Sequence, residues 1–334
     1  MSVPLSLLDL ARIAPGETPA EGLAGSVTMA QAAERSGYTR VWYAEHHNVQ
    51  QVGSSATSVF IGHVAANTST IRVGSGGVML PNHSPLVIAE QFGTLATLYP
   101  DRIDLGLGRA PGTDGDTVRA LRRSASASQH FPEDVQELQG YLQGESVVPG
   151  VWAIPGHGTH VPLYILGSSL FGASLAGALG LPFAFGSHFS PDMLLEATAT
   201  YRREFRPSAQ LAEPYLIAVV NVVAADDEAS AAVQHEGMQR TFARSLMNKS
   251  HTAPDFSESQ VDAFRASPSG QQIAQMIKLT AVGTRDDVRS YLEAFTEAAG
   301  ADELMTIHQT PLLADRIRSI ELTAEAMSAT RLVP

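Results

Sequence analysis

Short apolar runs alternate with longer segments of helical periodicity along the chain. Eight runs read as strands: Leu5–Leu10, Arg40–His46, Ile71–Leu80, Ile103–Arg109, Leu163–Gly167, Phe183–His188, Tyr215–Ala224 and Glu303–His308. Between and after them lie helical patterns over Gly22–Ser36, Ser54–Asn67, Pro85–Leu98, Leu170–Leu179, Pro191–Phe205, Asp226–Leu246, Arg285–Ala299 and Leu312–Met327. This α/β alternation predicts a (β/α)8 TIM barrel, one domain spanning residues 1–334. A doubly wound sheet is the rival. It would place a glycine-rich dinucleotide fingerprint after the first strand, and Ala11–Ala20 carries none.

Two stretches exceed the simple repeat. Ser124–Pro162 holds a helical pattern (Asp134–Leu142) and then a Gly/Pro-rich segment; Met247–Gln271 is polar with Ser/Pro punctuation. In a barrel these are insertions after strands 4 and 7, on the face where long loops serve as lids.

Composition narrows the class. Hydrophobic content of 44% and charged content of 17% suit a chain with a large core. A net charge of −12, from 22 basic and 34 acidic residues, argues against a broad surface for nucleic acid or anionic membrane. The absence of cysteine excludes disulfides, thiolate catalysis, iron–sulfur clusters and Cys-based zinc sites. Met1–Leu10 has no basic n-region and carries Asp9, so a cytoplasmic location is expected. Val161–Phe189 lacks Asp, Glu, Lys and Arg over a length that could span a membrane. Gly167, Gly172, Gly177, Gly180, Pro182 and Gly186 instead divide it into buried strand, turn and helix.

Candidate chemistry gathers at the strand ends. His46, Met79, Arg109, Ser168, His188 and His308 fall where barrel strands stop, and so are expected to meet at one mouth. Arg109 follows Gly106 and Gly108 and offers a planar fork suited to phosphate; a structural tie to Asp101 or Asp104 is the alternative. Gly167-Ser168-Ser169 joins a strand to a helix, where hydroxyls cap and free N–H groups attract anions. Ser75-Gly76-Gly77 interrupts the third strand, which marks a bend or a flat ligand. His46 and His47 project to opposite faces of a regular strand, so no metal is expected there. His46 shares parity with Trp42 and Ala44 and is the expected acid/base group, with Glu45 and His47 shaping the strand end. Met79, Phe183, Phe185 and Phe189 are expected to make the mouth apolar.

Taken together, Trp42–His47, Val73–Pro81 with His83 and Pro85, Leu105–Arg109, Leu166–Ser169 and Leu181–Phe185 resemble the bacterial luciferase-like flavin-dependent oxidoreductases, in order and over nearly the whole chain. The likeness is to single-chain members. It implies a barrel binding reduced FMN at its C-terminal mouth, with Arg109, Ser168 and Ser169 at the phosphate and Gly167 serving the flavin through its backbone. Gly76-Gly77, after Ser75, would sit where the family has a non-prolyl cis peptide against the flavin ring, and His46 would be the catalytic histidine. The expected activity is a monooxygenase using O2 on a small organic substrate. A separate reductase would supply the FMN, and the enzyme would be a homodimer. The alternatives are an F420-dependent hydride-transfer enzyme and a non-catalytic flavin-binding protein. Gly108 and Gly167 stand where the light-emitting α chain has a cysteine and an acidic residue, which argues against light emission.

Overall fold

The computed structural model describes residues 3–124, 126–247 and 256–328. Nine strands form its sheet: β1 (Leu5–Asp9), β2 (Arg40–Tyr43), β3 (Arg72–Met79), β4 (Ile103–Gly108), β5 (Leu163–Gly167), β6 (Phe183–Phe185), β7 (Leu216–Ala224), β8 (Thr280–Gly283) and β9 (Glu303–Ile307). All pairings are parallel. The ring runs β1-β2-β3-β4-β5-β6-β7-β9 and closes on β1, giving an eight-stranded TIM barrel with helices between the strands. The eight expected strands are the eight of the barrel. The ninth, β8, pairs only with Asn221–Ala224, where β7 extends past the wall.

Local signals fix the helix limits. Pro19–Arg35 opens with a capping box: the Thr18 N–H donates to Glu21 Oε2 at 2.7 Å, and the Glu21 N–H returns a bond to Thr18 Oγ1. Arg285–Ala299 has the same device in Thr284 and Asp287 and ends at Gly300, whose φ of 61° is left-handed. The polar stretch after β7 also follows this rule. Its residues 248–255 lie outside the described residues, but the rest forms two helices, Glu258–Ala266 and Pro268–Met276, capped by Ser257 and Ser267. Ser/Pro punctuation there marks helix starts.

The stretch after β4 is corrected in a different way. Phe131–Gln143 packs Phe131, Val135, Leu138 and Leu142 into the layer between barrel and helices. It is the ordinary crossover from β4 to β5 and returns the chain to the N-terminal end of the barrel. Gly144–Pro162 therefore lies at the floor, where Gly156 sits so close to Gly93 that a Cβ on Gly93 would fall 2.0 Å from its Cα.

Strand parity divides the core. Leu8, Trp42, Tyr164, Ile217, Val219 and Met305 fill the barrel, with Trp42 edge-on to Tyr164 at 4.8 Å. Phe183 and Phe185 point the other way, into the helix layer, and only Ala184 of β6 faces inward. The expectation that these two rings line the mouth is thus overturned. His308 is likewise turned outward. It is buried, with Nδ1 2.7 Å from Ser319 Oγ and Nε2 3.0 Å from Thr306 Oγ1, while Gln309 faces inward and bonds Asn221.

Near the barrel floor sits a buried charge network. Arg40, the first residue of β2, bonds Glu303 through Nε (2.9 Å) and Nη2 (3.1 Å), and Asp104 and the Tyr164 hydroxyl through Nη1 (2.7 Å each). Asp104 also accepts from Trp42 Nε1 (3.0 Å) and Arg72 Nε (2.9 Å); Glu303 also accepts from the Tyr215 hydroxyl (2.8 Å) and Ser6. Burial works against the Arg40 charge, but Asp104 and Glu303 outweigh it and hold the guanidinium protonated.

Two predictions follow from these buried groups. Arg40→Met should cost about 3–5 kcal/mol in chemical denaturation, because Asp104 and Glu303 lose their shared cation while remaining buried. A loss below about 1 kcal/mol would contradict the role given to Arg40. Burial lowers the His308 pKa to about 3. Between about pH 6.5 and that value, the unfolded chain binds a proton that the folded chain refuses. This contribution to stability is complete above about pH 6.5 and shrinks as pH falls, by at most about 1.4 kcal/mol per pH unit. His308→Gln should flatten the dependence of unfolding free energy on pH between 4 and 6; an unchanged slope would refute this account.

Candidate active site

The mouth is built from strand exits. Just past β2, the Glu45 N–H donates to the Gly77 carbonyl at 3.2 Å, tying this turn to β3. Glu45 is buried, and its carboxylate gathers partners from separate segments. His47 Nε2 lies 2.7 Å from Oε1, His83 Nε2 lies 2.9 and 3.0 Å from the two oxygens, and the Met79 N–H donates to Oε2 at 3.0 Å. Burial raises the Glu45 pKa, but the bonds from His83, His47 and Met79 prevail and hold it below the usual carboxylate range. One potential ligand atom each from Glu45, His47 and His83 lies within 4.8 Å of the others. The contacts are those of a hydrogen-bonded cluster, with the carboxylate accepting throughout. Glu45 and His47 thus brace the strand end; the His83 contribution is visible only in three dimensions.

His46 turns away from this cluster. Burial lowers its pKa, offset in part by a hydrogen bond with the Gly112 backbone and by Glu45, so the ring is neutral near pH 7. Facing it electrostatically is His188, just beyond β6. Its Nδ1 is buried and has no partner among the described residues, and burial, with His46 nearby, lowers its pKa to about 3. The Asn221 amide holds the His188 carbonyl at 2.9 Å. Two neutral imidazoles therefore share the mouth. Beside them, an open cleft of about 920 Å³ is lined by Phe189, Met193, Pro268 and Met276. The loop after β6 and a helix inserted after β7 make this cleft, and Ser190, Asp192, Gln271, Gln272 and Gln275 add polar groups to its lining.

Across the mouth, Arg109 leaves β4 and is exposed. Its guanidinium lies over the Phe171 ring at 3.9 Å and has no hydrogen bond or ion pair among the described residues. Asp104, the alternative partner, is taken by Arg40 and Arg72. Phe171 belongs to the helix Leu170–Leu179, whose N-cap is Ser169. That side chain makes no capping bond, so the hydroxyl is not used by its own helix. Arg109, Ser168, Ser169 and the first N–H groups of this helix thus form a donor set without a protein acceptor, which is the chemistry of an anion cradle. A Cβ on Gly167 would meet nothing closer than 3.4 Å.

Between the two sides, the Gly76–Gly77 peptide is cis, as the resemblance implies. The β3/β4 register shifts between Ser75 and Val78. A Cβ on Gly77 would fall 2.7 Å from the Gly106 carbonyl oxygen, and one on Gly76 would fall 2.8 Å from Leu8. Close packing in the wall already requires these glycines, whatever lies above them. Ser75 is corrected: fully buried, its hydroxyl donates to the Gly106 carbonyl at 2.8 Å and is not offered to the mouth.

Comparison with known proteins shows the family and the fold. The family model described as "Luciferase-like monooxygenase" matches residues 3–303. A protein of that name from Escherichia coli (strain K12) is 46% identical over 325 residues, covering 97% of each chain. The crystal structure of apo-MsnO8 is 35% identical, with a TM-score of 0.87 over 99% of each chain. The fold is also shared, at 16% identity and a TM-score of 0.74 over the whole of each chain, with the oxygenating constituent of 3,6-diketocamphane monooxygenase from Pseudomonas putida, solved in complex with FMN. Among the described residues no helix is long and apolar enough to cross a membrane. The chain belongs to the luciferase-like monooxygenase family.

Proposed function

We propose that this protein is a flavin-dependent monooxygenase that uses reduced FMN and O2 on a small organic substrate. The observation that carries the reading is the unpaired Arg109 guanidinium beside the uncapped helix start at Ser168–Ser169. A dianionic phosphate suits that donor set, and a neutral ligand would leave most of it unused. Arg109, Gly167, Ser168 and Ser169 would hold the phosphate, with Gly76–Gly77 under the ring system. When bound, reduced flavin supplies the electrons that activate oxygen. The P. putida protein named above, which binds FMN, supports the choice of cofactor.

His46 is the residue placed to hold or return a proton. Burial keeps it neutral and the Gly112 backbone fixes its ring. The Glu45 cluster sets the turn that carries it. Phe189, Met193 and Met276 would admit an apolar substrate and exclude water at the entrance. A separate reductase would deliver reduced FMN. Val59, Val87 and Leu98, exposed on the helices Thr57–Ala66 and Pro85–Leu98, would be covered in a homodimer.

Two measurements test this. Arg109→Gln should weaken FMN binding about 10- to 100-fold, the worth of charge-assisted hydrogen bonds, and leave riboflavin binding unchanged. Equal losses for both ligands would remove the phosphate assignment. Tighter anaerobic binding of reduced F420 than of reduced FMN would replace the cofactor. His46→Ala should lower substrate turnover about 10²- to 10⁴-fold while FMN affinity holds. Oxygen uptake with no product from the wild type, across a panel of small organic compounds, would favour flavin binding without catalysis.

A further inference from the structure

Six buried side-chain polar atoms have no hydrogen-bond partner among the described residues, and four of them belong to Arg12, Tyr43, Thr310 and Arg316. These residues lie at the exits of neighbouring strands and at the start of the last helix. Asp9 ends β1 with its side chain turned outward, away from Leu8 and the barrel interior. Tyr43 is its register partner on β2. Arg12 follows the left-handed turn at Ala11. Thr310 lies just beyond β9 and leads into the helix Leu313–Ser328, whose first turn carries Arg316 and packs Leu313 on Gly25. The group occupies the layer between wall and helices, at the same end as the mouth but on the other side of the wall.

The charges are unusual. Arg316 is 4% exposed, yet its buried Nε has no hydrogen-bond partner among the described residues, and the same holds for the Nε of half-buried Arg12. The two cations are within electrostatic reach: burial and the Arg316 charge lower the Arg12 pKa to about 10. Asp9 does not satisfy them. Its oxygens are taken by the Ser26 hydroxyl and the Ala11 N–H, and burial raises its pKa despite Arg316. Glu17 lies near both arginines, but its carboxylate accepts from the Ala14 N–H at 2.8 Å. The Nε atoms of both arginines and the Thr310 hydroxyl are thus buried without a hydrogen-bond partner among the described residues, the Tyr43 hydroxyl has only Ser26 within reach, and Glu17, the carboxylate near both arginines, is hydrogen-bonded to neither.

We propose that Arg12, Arg316, Tyr43 and Thr310 bind a small oxyanion, a phosphate or carboxylate group, at a site separate from the Arg109 cradle. The partly exposed Arg12 gives it access from the surface. The anion would link the exits of β1 and β2 to the last helix, and so brace the turn that leads to Glu45 and His46 from outside the barrel.

Thermal unfolding and calorimetric titration with inorganic phosphate, sulfate and acetate, at ionic strength matched with sodium chloride, test the site. A saturable rise in Tm with one or more of these anions, at one site per chain, is expected in Arg109→Gln, where the mouth cradle is disabled. The rise should be lost when Arg12→Gln is added. Acetate acting as strongly as phosphate would point to a carboxylate ligand; phosphate and sulfate alone would point to a tetrahedral oxyanion. Arg316→Gln, if it folds, should lose the response as well. The proposal falls if no anion exceeds sodium chloride, or if the rise persists in Arg12→Gln and disappears in Arg109→Gln.

Discussion

The floor of the barrel depends on Arg40. One guanidinium joins Asp104 of β4 and Glu303 of β9 across the barrel interior, and their remaining bonds reach Ser6 of β1, Arg72 of β3, Tyr164 of β5 and Tyr215 just before β7. Bonds of fixed geometry thereby tie strands that are far apart in sequence. Apolar packing alone tolerates many arrangements, whereas each buried charge here has a specific set of partners. The apolar layer of Trp42, Ile217 and Met305 rests above this network, and the mouth opens above that layer.

At the other end, polar groups take two opposite states. Glu45 is saturated: each bond it accepts fixes one piece of the mouth, from the β3 exit to His83. Arg109, the Ser169 hydroxyl and His188 Nδ1 have no hydrogen-bond partner among the described residues. Satisfied groups position the walls, and unsatisfied ones mark where something else binds. The same contrast distinguishes His308, whose two ring nitrogens are both engaged, from His188.

Much of the fold was legible because period and punctuation are local. Pro85–Leu98, Leu170–Leu179 and Arg285–Ala299 match their expected limits, set by Pro at the start of the first and by left-handed Gly180 and Gly300 after the others. What failed was the facing of side chains near strand ends. Proximity to a strand terminus points Phe183, Phe185 and His308 to the mouth, yet alternation sends them to the helix layer. β8 carries no sequence signal of its own, being short and extending the end of β7 outside the ring. The Ser75 hydroxyl bonds the neighbouring strand, a contact that no local pattern around Ser75-Gly76-Gly77 announces.

The sequence by itself determined the alternation of eight strands with helices, and it marked His46, Arg109 and Ser168–Ser169 as strand-exit residues, because spacing and chain direction are properties of the chain alone. Tertiary structure decided which of these groups are already satisfied. It brought His83 to Glu45, gave Asp104 to Arg40 and so freed Arg109, and left the Nε atoms of Arg12 and Arg316 buried without a partner among the described residues. Hydrogen-bond satisfaction depends on which distant segments meet, and no local pattern encodes that.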